Sequence, residues 1–186
     1  IMVDTQVRPS DVTKYPIIEA MLHVPREEFV PESLRSAAYA GDALPLAQGR
    51  VILDPRVLAK MLEVLDIGPR DLILDVGAGL GYSSAVIAHM AQAVVALDDD
   101  EARNDEAVAA LAQEGVDNVA FVTGVLADGA PQHGPYDAII LQGAVEAMPQ
   151  ALLDQLKDGG RIAAIFIEGT LGVCRIGRKS NGAVSW

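Results

Sequence analysis

The stretch Leu72-Ile73-Leu74-Asp75-Val76-Gly77-Ala78-Gly79-Leu80-Gly81-Tyr82 is a short apolar run that ends in an acid and breaks into alternating glycines. Such a run, bounded by turn residues, predicts a buried strand. Glycine has no Cβ and lets a second backbone or a ligand approach to contact distance. The residues that follow, Tyr82-Ser83-Ser84-Ala85-Val86-Ile87-Ala88-His89-Met90, carry apolar side chains at helical spacing, so the loop feeds the positive N-terminal end of a helix. Strand, glycine loop and helix in this order form the unit that cradles nucleotide-type ligands.

The alternation continues along the chain. Patterning predicts strands at 72–76, 93–97, 119–122, 136–141 and 161–167, and helices at 82–90, 100–113 and 149–156. This rhythm implies an α/β fold, a doubly wound and mainly parallel sheet with ligand at the carboxyl ends of its strands. After Gly169, two β-like runs flank Ser180-Asn181-Gly182 and predict an antiparallel hairpin. Ahead of the sheet, a helix is expected over 14–22, capped by Ser10 or Asp11, then a Pro-punctuated link through Pro25 and Pro31, a short helix around 33–39 and a loop over 41–54. The next helix is well signalled, with Asp54 as N-cap, Pro55 at its first position and Val57, Leu58, Met61, Leu62 and Leu65 on one face. We read residues 1–186 as a single domain, with 1–66 a helical segment on the acceptor side and 71–186 the cofactor-binding core. Both ends are expected to continue in the natural gene product.

The length of 186 residues supports one sizeable core. No apolar run reaches the roughly 18–20 residues of a membrane span and no signal peptide opens the chain, so the cytoplasm is the expected location. The net charge of −12 argues against a nucleic-acid partner, whose phosphates call for clustered Lys and Arg. His23, His89 and His133 are scattered without ligand spacing, so no metal is expected. Cys174, in a β-like segment, reads as a small core residue. Nothing in the sequence sets the oligomeric state.

Two details discriminate among cofactors. A dinucleotide fingerprint is G-x-G-x-x-G, whereas here the third glycine arrives one residue early, as Gly77, Gly79 and Gly81. No Gly-Lys-Ser or Gly-Lys-Thr follows, which excludes a P-loop. The second strand ends at Asp98, where a carboxylate can accept hydrogen bonds from both ribose hydroxyls. Its alternative role is to cap the next helix, the role we assign to Asp99 and Asp100. The spacing with a leading acid resembles motif I of the S-adenosylmethionine (SAM) dependent methyltransferases.

Other segments narrow the resemblance. Ala20-Met21-Leu22 with Val24-Pro25-Arg26-Glu27-Glu28-Phe29-Val30-Pro31, then Ala38-Tyr39 and Leu44-Pro45, is similar to the protein-L-isoaspartate O-methyltransferase family. So are Pro135-Tyr136-Asp137-Ala138-Ile139-Ile140, Pro149-Gln150-Ala151-Leu152-Leu153 and Gly159-Gly160-Arg161. The resemblance implies a Rossmann-like fold and a SAM-dependent enzyme that methylates the free carboxyl of isoaspartyl residues in damaged proteins or peptides, which lets the chain return to aspartate through a succinimide. It places Asp75, Gly77, Ala78, Gly79, Gly81, Tyr82, Asp98, Val125 and Leu126 around the cofactor and Arg50, Val51 and Leu53 at the acceptor.

The departures are as informative. Where the family carries G-Q-T-I-S-x-P, this chain has Gly49-Arg50-Val51-Ile52-Leu53-Asp54-Pro55, so two hydroxyls become Val51 and Leu53. Arg50 could attract the acceptor carboxylate in compensation, or could be an ordinary surface arginine. The family's adenine-binding acid is replaced by Val125, with Asp128 nearby, and its alanine-rich turn after the fourth strand is partly matched by Gln142-Gly143-Ala144. Two other readings therefore stand beside isoaspartate methylation: a methyltransferase of this family with a different acceptor, and a non-catalytic SAM-binding or scaffold relative.

Overall fold

The structure, a computed structural model, describes residues 1–186 apart from Asp11, Thr13 and Gln48, and the backbone alone of Ser10. Strands β1 (Leu44–Ala47) and β2 (Arg50–Ile52) form a small antiparallel pair. The strands β3 (Leu72–Val76), β4 (Ala93–Asp98), β5 (Val119–Thr123), β6 (Tyr136–Val145), β7 (Leu156–Glu168), β8 (Leu171–Ser180) and β9 (Ala183–Ser185) build the main sheet in the order β5-β4-β3-β6-β7-β8-β9. Neighbours from β5 to β7 run parallel; β7, β8 and β9 are antiparallel. From β3 the chain winds outward through β4 to β5, and from β6 it winds the other way. The carboxyl ends of β3 and β6 thus form the switch point where such sheets bind ligand.

Side-chain alternation explains why both faces are covered. Ile73, Val94, Ala138, Ile140 and Ala163 enter one apolar cluster, while Leu74, Val76, Val95, Leu97, Ile139 and Leu141 enter the other. The first cluster is closed by α1 (Tyr15–His23), α2 (Pro55–Leu65) and α3 (Tyr82–Ala88), together with Val3 and Val7 of an N-terminal π-helical turn and Met2 just ahead of it. Helix α4 (Glu101–Gln113) contributes Leu111 to that face, and α5 (Gln150–Asp154) contributes Leu152 to the other.

Most predicted elements stand within a residue or two of their expected bounds. Asp54 caps α2 by accepting from the backbone N–H of Arg56 at 2.8 Å, and Asp100 caps α4 by accepting from that of Arg103 at 3.0 Å. Asn181 and Gly182 both have positive φ, 53° and 81°, as the tight hairpin between β8 and β9 requires. The caps expected at Ser10 and Asp11 lie outside the described side chains; Lys14 occupies the N-cap position of α1 without a side-chain cap bond.

Four readings are corrected. The expected loop 41–54 contains β1 and β2, strands too short to show a period-two pattern. The link after Pro25 holds a 3-10 turn, Arg26–Phe29. Strand β7 starts at Leu156, because that residue pairs with Tyr136 ahead of a break in register, and this ends α5 early. Cys174 is exposed, since of the residues of β8 only Gly177 is buried.

Candidate active site

The glycine loop leaves β3 and folds over the end of β4, where the N–H groups of Gly77 and Ala78 both donate to the carbonyl of Leu97, at 2.8 and 3.0 Å. Gly77, Gly79 and Gly81 all have positive φ, 80°, 61° and 99°. They face different neighbours. A Cβ on Gly79 would come to 2.9 Å from Leu46 of β1, whereas one on Gly81 would meet Leu111 and Ala107 of α4 at 3.2 and 3.3 Å. The first two glycines thus lie against Arg50 and the β1 segment, and the third permits close packing of α4.

Asp75 is fully buried and spends both oxygens inside the protein. Its Oδ2 accepts from the hydroxyls of Ser83 and Ser84 at 2.6 and 2.7 Å, and Oδ1 accepts from the amide of Gln142 at 2.9 Å. Burial pushes its carboxyl above the ordinary value, against the lowering effect of these three donors. The strand-end acid ties the first turn of α3 to the end of β6 and thereby shapes the loop between them. Two serines opening a helix eight and nine positions after a buried acid are the signal that marks Ser83 and Ser84, which the sequence reading passes over; Gln142 belongs to the Gln142-Gly143-Ala144 turn named there.

Asp98 is also fully buried. Its Oδ2 pairs with Nε of Arg103 at 2.8 Å, and Oδ1 lies 2.6 Å from a terminal nitrogen of Arg50. Arg50 and Arg103 also reach Asp99, at 2.9 and 2.7 Å. Asp99 thus belongs to this charge cluster, and the helix cap is made by Asp100 alone. The guanidinium of Arg50 is turned toward Asp98, Asp99 and the glycine loop, 3.3 Å from where a Cβ of Gly77 would be.

Val51, Ile52 and Leu53 line a cavity of about 20 Å³ together with Gly77, Gly79, Tyr82 and Phe29. That is room for about one water molecule. Leu53 is buried in the apolar core and Val51 is exposed. On the far side of Arg50 and Gly77 an open cleft of about 260 Å³ is walled by Leu126, Ala127, Leu141, Gly143, Val145, Pro149 and Leu152. Val125 is 63% exposed and does not line it, so Leu126 is the one of the expected pair that faces the cleft.

Tyr82 opens α3, buried against Phe29 at a ring-centroid distance of 6.3 Å and against the guanidinium of Arg26, 4.7 Å from its ring centroid. Burial raises its phenol above the ordinary value, partly offset by Arg26. Arg26 has no solvent exposure; it donates to the carbonyls of Ala38 at 2.6 Å and Leu53 at 3.0 Å, and burial lowers its pKa. A buried arginine held by two backbone carbonyls is not visible in the pattern of a Pro-rich link. His23 and His89 come together, ring centroids 6.4 Å apart, away from this site. Among the described residues no group of three or more side chains could hold a metal ion.

A glycine cradle at the switch point of a doubly wound sheet, flanked by a buried carboxylate at the end of the adjacent strand, places the chain among the Rossmann-like folds that take a nucleotide-type cofactor. A family profile described as protein-L-isoaspartate(D-aspartate) O-methyltransferase matches residues 2–185. The chain belongs to that family. It is 39% identical over 163 residues to the protein-L-isoaspartate O-methyltransferase of Herpetosiphon aurantiacus, covering 88% of this chain and 73% of the relative. It is 37% identical to that of Methanoculleus marisnigri, covering 88% and 74%. A solved protein-L-isoaspartate O-methyltransferase superposes with a TM-score of 0.82 at 25% identity over 95% of this chain, which spans 59% of that longer protein. A second, from Plasmodium falciparum in complex with S-adenosyl-L-homocysteine (SAH), gives 0.83 over 99% of this chain and 90% of its own at 19% identity, a likeness of fold.

Proposed function

We propose that this chain is a SAM-dependent carboxyl O-methyltransferase acting on isoaspartyl residues of damaged proteins. The observation that carries the reading is that the acceptor segment and the glycine loop share one cavity, lined by Val51, Ile52 and Leu53 on one side and Gly77 to Ser83 on the other. The residues fit the cofactor. Oδ1 of Asp98 is buried without an aligned hydrogen-bond donor, and the glycines leave the backbone open for close approach. Asp98 would hold the ribose hydroxyls, Gly77, Ala78 and Gly79 the amino-acid end, and the apolar wall at Leu126 the adenine, without the acid that the family places at Val125.

Bound SAM supplies an electrophilic methyl on a sulfonium. A carboxylate is already nucleophilic at neutral pH, so the protein needs no strong base; its share is orientation and exclusion of water. The aliphatic Val51 and Leu53 supply the exclusion, and Arg26 fixes the wall by holding the Leu53 carbonyl. No described helix is long and apolar enough to cross a membrane.

The test is methyl transfer from labelled SAM to an isoaspartyl peptide beside its aspartyl isomer, with SAH binding measured in parallel. A base-labile methyl ester on the isoaspartyl peptide alone is the expected product. Binding of SAH without transfer to that peptide would refute the acceptor assignment and leave the two other readings, a family member with a different acceptor and a non-catalytic SAM-binding relative.

A further inference from the structure

The two arginines on Asp98 are not equivalent. Arg103 stands on α4, in the turn that directly follows β4, and its backbone N–H is held by Asp100. Arg50 comes from β2, borders the open cleft, and puts its guanidinium beside Gly77, where Asp98 would be approached by a ligand. Its side chain is 12% exposed, and its charge is shared between Asp98 and Asp99. Despite the 2.6 Å separation, the Arg50 nitrogen and Asp98 Oδ1 are not aligned as a hydrogen bond; both are buried atoms without such a partner. The contact is held by charge, and each group keeps unused hydrogen-bonding capacity.

We infer that Arg50 is an internal competitor for the cofactor: it holds the carboxylate that receives the ribose, and the guanidinium must leave Asp98 before the hydroxyls can reach it. The inference rests on the SAM-dependent reading of this site. Asp98 has no solvent exposure, and Arg50, in the wall of the open cleft, is the group that lies against its Oδ1. The exchange replaces a charged partner by neutral hydroxyls, and the Arg50-released state is therefore the minor one before binding. Apparent affinity falls by the fraction of molecules in that state. Arg103 stays paired with Oδ2, so the carboxylate keeps one charged partner when Arg50 departs.

The experiment is calorimetric titration of SAH into the wild-type chain, Arg50→Ala and Arg50→Met, with thermal unfolding to confirm that each variant is folded. Arg50→Met keeps most of the bulk without the charge, and decides the matter if Arg50→Ala does not fold. Both variants should bind SAH about tenfold more tightly, equivalent to about 1.4 kcal/mol. A side chain with only a structural role would give weaker binding when removed. Wild-type binding with equal or weaker binding by the variants overturns the competition and leaves the enzyme reading intact. No SAH binding by any of the three refutes the SAM-dependent reading, and the competition with it.

Discussion

Replacing Asp75 tests whether the strand-end acid organises the loop from within. In Asp75→Ala the hydroxyls of Ser83 and Ser84 and the amide of Gln142 lose a common acceptor that receives them at 2.6, 2.7 and 2.9 Å, with no solvent to take its place. An unsatisfied buried donor costs about 1–3 kcal/mol. Because the three share one carboxylate their losses do not add, and removal of a buried charge recovers part, so we expect about 3–5 kcal/mol in all. Set against total stabilities of about 5–15 kcal/mol, this brings the protein close to unfolding. Asp75→Asn should behave differently. Its oxygen can face the two serines while one of its N–H groups donates to Gln142 with that amide turned over, so both serines and Gln142 keep a partner at this position and the loss stays within about 1.5 kcal/mol. Urea denaturation followed by circular dichroism reads both variants through the midpoint at constant slope. Equal destabilisation by Ala and Asn, or a loss below about 1 kcal/mol for Ala, would refute the organising role.

Three further outcomes follow from other parts of the site. Gly81→Ala introduces a Cβ at 3.2 Å from Leu111 and at φ 99°; it should cost more than about 1 kcal/mol in the same denaturation assay. Asp54→Ala removes the α2 cap and should cost about 1 kcal/mol near neutral pH. Burial raises the Asp54 carboxyl, but the bonds from Arg56 outweigh it and leave it below its ordinary value. Its stabilisation is therefore complete above the unfolded value and lost as pH falls through the lower folded one, so the acid side of the stability–pH curve should flatten in the variant. Val51→Thr, at a 37% exposed position, should change stability by less than about 0.5 kcal/mol. By restoring one hydrogen bond to a charged substrate, worth roughly 1.5–3 kcal/mol, it should raise kcat/KM for an isoaspartyl peptide by about one to two decades; an unchanged value would show that the acceptor does not meet this side chain.

The fold was legible because its signals are local. The run 72–76 and its glycines, the Asp54-Pro55 cap and the Asn181-Gly182 turn each carry their instruction within a few residues, where backbone sterics and apolar period act. Cys174 misled for the complementary reason: a β-like run identifies a strand but says nothing of how thickly its faces are covered. The short strands β1 and β2 escaped notice because they carry too few residues to show a period.

The site was legible only as a set of candidates. That Asp75 and Asp98 end neighbouring strands could be read from spacing, but which groups their oxygens meet depends on residues brought in from far along the chain. Gln142 is 67 positions from Asp75, and Arg50 reaches across from a separate strand pair to Asp98. Likewise, Gly81 is indistinguishable in the motif from Gly77 and Gly79 until α4 packs against it. Arg26 looks like a surface charge until Ala38 and Leu53 turn their carbonyls toward it. Local chemistry selects strand, loop and cap; hydrogen bonds and ion pairs between distant segments form only when the core has closed around them, and they assign each acid and arginine its partner.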